Sequence, residues 1–175
     1  MAQDKTGKDV DNDSLIRIAY DWYEKCQDDS LYARSMYYMG KYFMLNDSVE
    51  QAKACLEKSY HLANETGDVY LVSLSLDKLV RIEGNLNPQK ALVLARELVE
   101  LYDKHLQLPL KNKVYARLRL STSLMCVDSL HSALEENLKA LNEAKMLGDK
   151  DIMSDVYQDL AFIYGELGKK DSSLY

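Results

Sequence analysis

The residues of this 175-residue chain whose types could do chemistry are three histidines, three cysteines and a few acidic pairs. His61, His105 and His131 fall on three different predicted helices or turns, and none stands in an HExxH or His–Cys metal spacing. His131 follows Cys126 by five residues, which puts the two on different sides of a helix. All three histidines read as surface or helix-end residues. Cys26, Cys55 and Cys126 are far apart and each lies in a helical apolar pattern, so they read as buried free thiols packing as small hydrophobes. Gly165-Glu166-Leu167-Gly168-Lys169-Lys170 has some of the letters of a phosphate loop. Its glycines are too close together, no Ser or Thr follows the lysine in place and no strand precedes it, so it reads as a turn. No serine sits in a GxSxG elbow. Asp28-Asp29 and Glu135-Glu136 could in principle exchange protons with a substrate. Adjacent residues on a helix point apart, so they read as capping and solvated-face groups. The expectation is a chain with no catalytic residue, no metal site and no cofactor.

The elements that carry these residues are helices, and the helices repeat. Met36, Met39, Gly40 and Phe43 precede a polar turn at Asn46-Asp47, and Ala52, Leu56, Ser59 and Leu62 follow it. A small residue between large apolar neighbours at helical spacing is how two antiparallel helices pack closely. Tyr157, Leu160, Ala161 and Tyr164 repeat the first-helix motif ahead of a turn expected at Leu167-Gly168, and Leu120, Ser121 and Leu124 repeat it more weakly. The second-helix motif recurs at Ile16, Ala19, Tyr23 and Cys26, at Ala91, Ala95 and Leu98, and at Leu130, Ala133, Asn137 and Ala140. The anchor alanines Ala19, Ala52, Ala91 and Ala133 are spaced 33, 39 and 42 residues apart, and the next anchor is expected near Ser173. Capping chemistry marks the junctions: Asp13 or Ser14, Asp28-Asp29-Ser30, Asn46-Asp47-Ser48, Thr66-Gly67-Asp68, Asn87-Pro88 and Leu147-Gly148-Asp149, with a break at Leu108-Pro109-Leu110.

This pattern resembles the tetratricopeptide repeat (TPR), a helix–turn–helix unit of about 34 residues. The resemblance implies an all-α fold, a right-handed α-α superhelix of antiparallel helix pairs. On that reading residues 1–12 are a mobile lead-in and 13–175 form a single TPR-like domain. It comprises the second helix of a partial repeat (13–29), repeats at about 30–66, 67–108 and 110–148, and a partial repeat at 149–175. The usual tryptophan of the repeat is replaced by Met36, Arg117 and Tyr157, and helix 68–83 has Leu79 or Val80 in place of a small packing residue. The chain opens on a lone second helix and closes where another should start, so an excerpt of a longer protein is expected. In TPR proteins the first helix of each unit lines the concave face. Carried onto this sequence, the groove positions are Arg34, Tyr37, Lys41 and Met44, then Tyr115, Leu118, Thr122 and Met125, then Asp155, Gln158, Phe162 and Gly165. Steps of three or four residues do place each set on one helix stripe. Arg34 and Lys41 could hold a carboxylate, while Tyr37 and Met44 could pack an apolar side chain.

Composition narrows the partners. A net charge of −6 without a basic stripe disfavours direct nucleic-acid binding and contact with anionic membranes. No apolar run reaches the roughly 18–20 residues of a membrane span. The stretch from Asp13 to Tyr42 is similar to the repeat regions of membrane-associated bacterial regulators, which implies a noncatalytic module that binds a protein or peptide segment. A structural array that self-associates through uncapped repeat ends is the alternative, and an enzyme a third. Free cysteines point towards a reducing interior and the regulator resemblance towards a membrane-anchored protein, so cytoplasm and periplasm both stay open.

Overall fold

The computed structural model describes residues 14–26 and 28–172, excepting the side chains of 14–17, 24, 26 and 169–172. The expected lead-in, the Asp13 cap, the Cys26 thiol and the anchor near Ser173 lie outside what is described. Eight helices, and no strand, occur among the described residues: α1 (Ser14–Cys26), α2 (Asp29–Leu45), α3 (Val49–Thr66), α4 (Val69–Leu86), α5 (Pro88–Lys104), α6 (Leu110–Cys126), α7 (Leu130–Leu147) and α8 (Lys150–Ser172). They fall into two compact units, one ending at Ile82 and one beginning at Glu83.

The helix starts are set by side-chain acceptors on orphan amides. Asp28 Oδ1 accepts from Leu31 N at 3.0 Å and Asp68 Oδ1 from Leu71 N at 3.1 Å. Asn87 Oδ1 accepts from Lys90 N at 3.1 Å with Pro88 beside it, and Asp149 Oδ1 from Ile152 N at 3.2 Å. The ends of α3 and α7 are left-handed glycines, Gly67 at φ 72° and Gly148 at φ 67°.

In the first unit α2 and α3 pack so closely that a Cβ on Gly40 would lie 2.6 Å from Leu56 Cγ and 3.3 Å from the Ala52 carbonyl oxygen. Ala52, Leu56 and Ala63 are fully buried. The buried Ser59 hydroxyl reaches Ala33 O at 2.8 Å and Ser75 Oγ at 3.0 Å, tying α3 to both α2 and α4. In the second unit Val114 and Leu118 of α6, Ala140, Leu141 and Ala144 of α7, and Ile152, Val156 and Leu160 of α8 form one core.

Two expectations need correction. Helix α8 continues without a turn through Gly165 and Gly168 to Ser172. Glycine permits a left-handed turn but does not compel one. Gly67 and Gly148 are each followed at once by an aspartate that caps the next helix, whereas no carboxylate follows Gly168 until Asp171. Cys126, expected to be buried, is exposed: it is the last residue of α6, past the stretch that packs.

Candidate interaction surfaces

In the first unit, the stripe on α2 begins at Arg34, whose side chain is 47% exposed and paired through Nη2 with Asp68 Oδ2 at 2.9 Å. Tyr37 is only 4% exposed. It forms a floor beside the half-buried Tyr38, ring centroids 5.3 Å apart and nearly edge-on at 71°. Lys41 Nζ stands 5.9 Å from both ring centroids, a cation over two aromatic faces. Met44 follows half-buried near the helix end. Arg34, Tyr37 and Tyr38 together with Asp68, Tyr70, Leu71 and Leu74 of the following turn and helix line an open recess of about 130 Å³. The structure therefore brings Arg34 and Tyr37 into one recess, with Lys41 one helical turn further on.

In the second unit, Tyr115 is half-buried and its hydroxyl lies 3.4 Å from Asp155 Oδ2 on α8. Burial, then the Asp155 charge, push the phenol above its ordinary pKa. Leu118 is a core residue against α7 and α8 rather than a surface one. Thr122 is exposed and its hydroxyl donates to Leu118 O at 2.9 Å, within its own helix. Met125 is half-buried, and Gln158, Phe162 and Gly165 of α8 are exposed. Of the positions on α6 and α8, only Tyr115 and Asp155 meet through polar atoms.

No protein-family model matches the sequence, and no curated protein matches it significantly. A solved structure does resemble it: nearly identical TPR-like repeats of a protein assigned as a Podosopora anserina kinesin light chain, at 16% sequence identity and TM-score 0.76. The alignment covers 99% of this chain and 85% of that one. The fold is TPR-like. In TPR terms α2, α4, α6 and α8 are first helices, and α1, α3, α5 and α7 are second helices. No helix among the described residues is long and apolar enough to cross a membrane.

The most elaborate polar site of the TPR-like second unit was not anticipated. Arg117, standing where the repeat usually has tryptophan, is 9% exposed. Its Nε is 3.0 Å from both oxygens of Glu143, its Nη1 2.9 Å from Glu136 Oε2 and its Nη2 3.0 Å from Asp103 Oδ1. Lys113 Nζ joins Asp103 at 2.8 Å and Glu143 at 3.2 Å, and Lys139 Nζ joins Glu136 at 2.6 Å. Burial alone would lower the pKa of Arg117, but the hydrogen bonds and charge of Glu143, with Asp103 and Glu136, hold it above the ordinary value. Glu136, read from sequence as a solvated-face residue, belongs to this cluster; only Glu135 is exposed. The legible signal was Arg117 in an apolar repeat position, together with Glu136 and Glu143 seven residues apart on one face of α7. One turn along α6, the fully buried Asn137 donates from Nδ2 to Ser121 Oγ at 2.7 Å, and Ser121 donates to Ala133 O at 3.1 Å.

His61 and His131 are exposed, and His105 is half-buried with Gln107 3.4 Å away. Cys55 is half-buried, and burial raises its thiol pKa, which keeps it protonated and weakly nucleophilic at neutral pH.

Proposed function

We propose that this chain is a noncatalytic TPR scaffold that binds a protein or peptide segment, and that it forms the sensing or interaction region of a larger bacterial regulatory protein. The fold supports the scaffold part. The similarity of residues 13–42 to the repeat regions of bacterial regulators supports the second. The observation that carries the binding site is the α2 recess, which sets a half-exposed arginine against an aromatic and aliphatic floor.

The chemistry of that recess fits a peptide carrying a carboxylate next to an apolar side chain. The carboxylate takes Arg34 in place of Asp68, or pairs with Lys41. Arginine offers a planar fork for two parallel hydrogen bonds, so the exchange exposes little unpaired charge. The apolar side chain fills the recess against Tyr38, Tyr70, Leu71 and Leu74. On α6 and α8, Tyr115, Thr122, Met125, Gln158 and Phe162 are the further positions proposed to meet a ligand, and Leu118 would contribute from beneath.

The test compares the parent chain with an Arg34→Glu/Lys41→Glu double variant in affinity capture, followed by titration of the recovered segment against both. The expected result is a segment retained by the parent and lost by the variant, with far-UV circular dichroism unchanged. Equal retention by both would remove the α2 recess as the binding site.

A further inference from the structure

The two halves of one TPR hairpin interface are both bare in this chain. In the α2/α3 and α6/α7 hairpins, the first-helix packing positions Met36 and Gly40, and Arg117 and Ser121, are buried under a second helix. The same positions on α8 are Tyr157 and Ala161, continued one turn later by Tyr164. Tyr157 is 51% and Tyr164 55% exposed, Ala161 is exposed too, and nothing among the described residues covers them. Helix α1 shows the converse. Its anchor Ala19 is only partly buried, whereas the equivalent Ala52, Ala91 and Ala133 on α3, α5 and α7 are fully buried. Ile18 and Trp22, four residues apart on α1, are each 65% exposed. Helix α1 packs on α2, with Tyr20 and Tyr32 hydroxyls 3.4 Å apart, and so keeps one face engaged and one open.

We infer that the chain associates head to tail, with α1 of one copy docking as a second helix on the Tyr157–Ala161–Tyr164 face of α8 of the next. The occupant is argued from register. The face on α8 is the one that α3 covers on α2 and α7 covers on α6, and α1 carries the same motif as those covering helices: Ala19, Tyr23 and Cys26 stand where α3 has Ala52, Leu56 and Ser59. Both sides offer large apolar side chains, and burying one contributes roughly 1.5–3 kcal/mol. The contact joins two different faces, so it is heterologous and propagates instead of stopping at a pair. It is independent of the α2 recess, and Arg34→Glu/Lys41→Glu leaves it unchanged.

Sedimentation equilibrium over a concentration series, with emission from Trp22, the only tryptophan, tests this. The parent is expected to exceed the mass of one chain as concentration rises, with Trp22 emission moving to shorter wavelength. Ala161→Glu, which blocks only α8, and Ile18→Glu, which blocks only α1, should each remain a single chain. Mixed, they should form one capped pair of twice the chain mass and nothing larger. Tyr164→Glu and Trp22→Glu, read by mass, replace either variant that loses helicity. A parent that stays a single chain at every concentration would overturn the inference and leave the α8 face to another occupant. So would a mixture that remains unpaired while the parent associates, or an Ala161→Glu variant that assembles like the parent.

Discussion

At Met36, Cys55 and Leu62 the α2/α3 hairpin places apolar side chains; 81 residues on, the α6/α7 hairpin places Arg117, Glu136 and Glu143. The same step takes Trp22 to Asp103, the third carboxylate on Arg117. It also takes Gly40 to Ser121 and Leu56 to Asn137. The frame of the two hairpins is unchanged. Asp47 and Asp128 both take left-handed φ in the inter-helix turn, at 55° and 62°. Ser48 and Ser129 both precede the second helix, Gly67 and Gly148 both end it, and Asp68 and Asp149 both cap the helix after it. Turn and cap chemistry therefore defines the hairpin, and the interior can be apolar or ionic provided the facing positions change together. Glycine opposite leucine, or serine opposite asparagine, gives a matched pair; the crossed combinations do not.

The largest effect expected is at Arg117. Arg117→Met imports the first hairpin's residue without its partners and leaves Glu136 and Glu143 largely buried, with only Lys113 and Lys139 to balance them. Removing one partner from a buried ion cluster costs about 3–5 kcal/mol. Importing the whole apolar set, as Arg117→Met/Glu136→Cys/Glu143→Leu, should restore most of that loss, because a complete swap leaves no stranded charge. Urea denaturation of the two variants decides the point. A triple variant no more stable than the single one would mean that the two interiors are not interchangeable.

The next effect is steric. Asn137→Leu sets a leucine against the Ser121 side chain, where the first hairpin has glycine, and overpacking of this kind costs about 1–3 kcal/mol. Adding Ser121→Gly should recover most of it, giving a coupling energy of about 1 kcal/mol or more in a double-mutant cycle. The mirror experiment is Gly40→Ala, where the new Cβ meets Leu56 Cγ at 2.6 Å. It should be destabilising by a similar amount, whereas Gly165→Ala on α8, with open space around the new methyl, should gain up to about 1 kcal/mol of helix propensity. Additive effects at Ser121 and Asn137 would break the claim that facing positions act as pairs.

What the sequence revealed follows the same division. Helix pairs, turns and caps were legible because they depend on local chemistry: Asn87-Pro88, Gly67-Asp68 and Gly148-Asp149 each announce a boundary by residue type alone. Partnerships across the interior were not legible. Glu136 looks like any surface glutamate until Arg117 is placed opposite it, and nothing within a few residues of either says so. The Gly168 turn was misjudged for a related reason: glycine signals that a turn is allowed, and the acceptor that fixes it must come from its neighbours. On the α2 stripe the spacing gave the helix face of Arg34, Tyr37 and Lys41. It could not show that Tyr37 lies under the surface, or that Asp68, from the turn after α3, pairs with Arg34.

The smallest effect, and the one that separates the two regions most finely, is on pH. Asp159 of α8 is half-buried near Asp155, Arg119 and Asn137, whereas 81 residues earlier the chain has Lys78, paired with Asp77 at 2.8 Å. Burial, then the Asp155 charge, raise the pKa of Asp159 above the ordinary carboxylate range, against the opposing pull of Arg119 and Asn137. A raised folded-state pKa means that the folded form holds the proton more tightly, so this group's contribution is fully favourable below the unfolded pKa and fades as pH rises through the folded one. Asp149 works the other way. The Ile152 amide, with Lys111 and the Asp151 amide, lowers its pKa, so its contribution is present above the ordinary range and disappears as pH falls through the folded value. On acidification Asp159 should therefore stabilise the second unit first, and Asp149 should weaken it only at lower pH. Asp159→Asn is expected to raise stability at neutral pH by less than about 1 kcal/mol, since the group is half-exposed and screened. It should also flatten the pH dependence just above the ordinary carboxylate range, while Asp149→Asn flattens it below. Urea midpoints measured across pH for both variants check the order, and an Asp159→Asn curve parallel to that of the parent would show that its burial does not set the acid response of this unit.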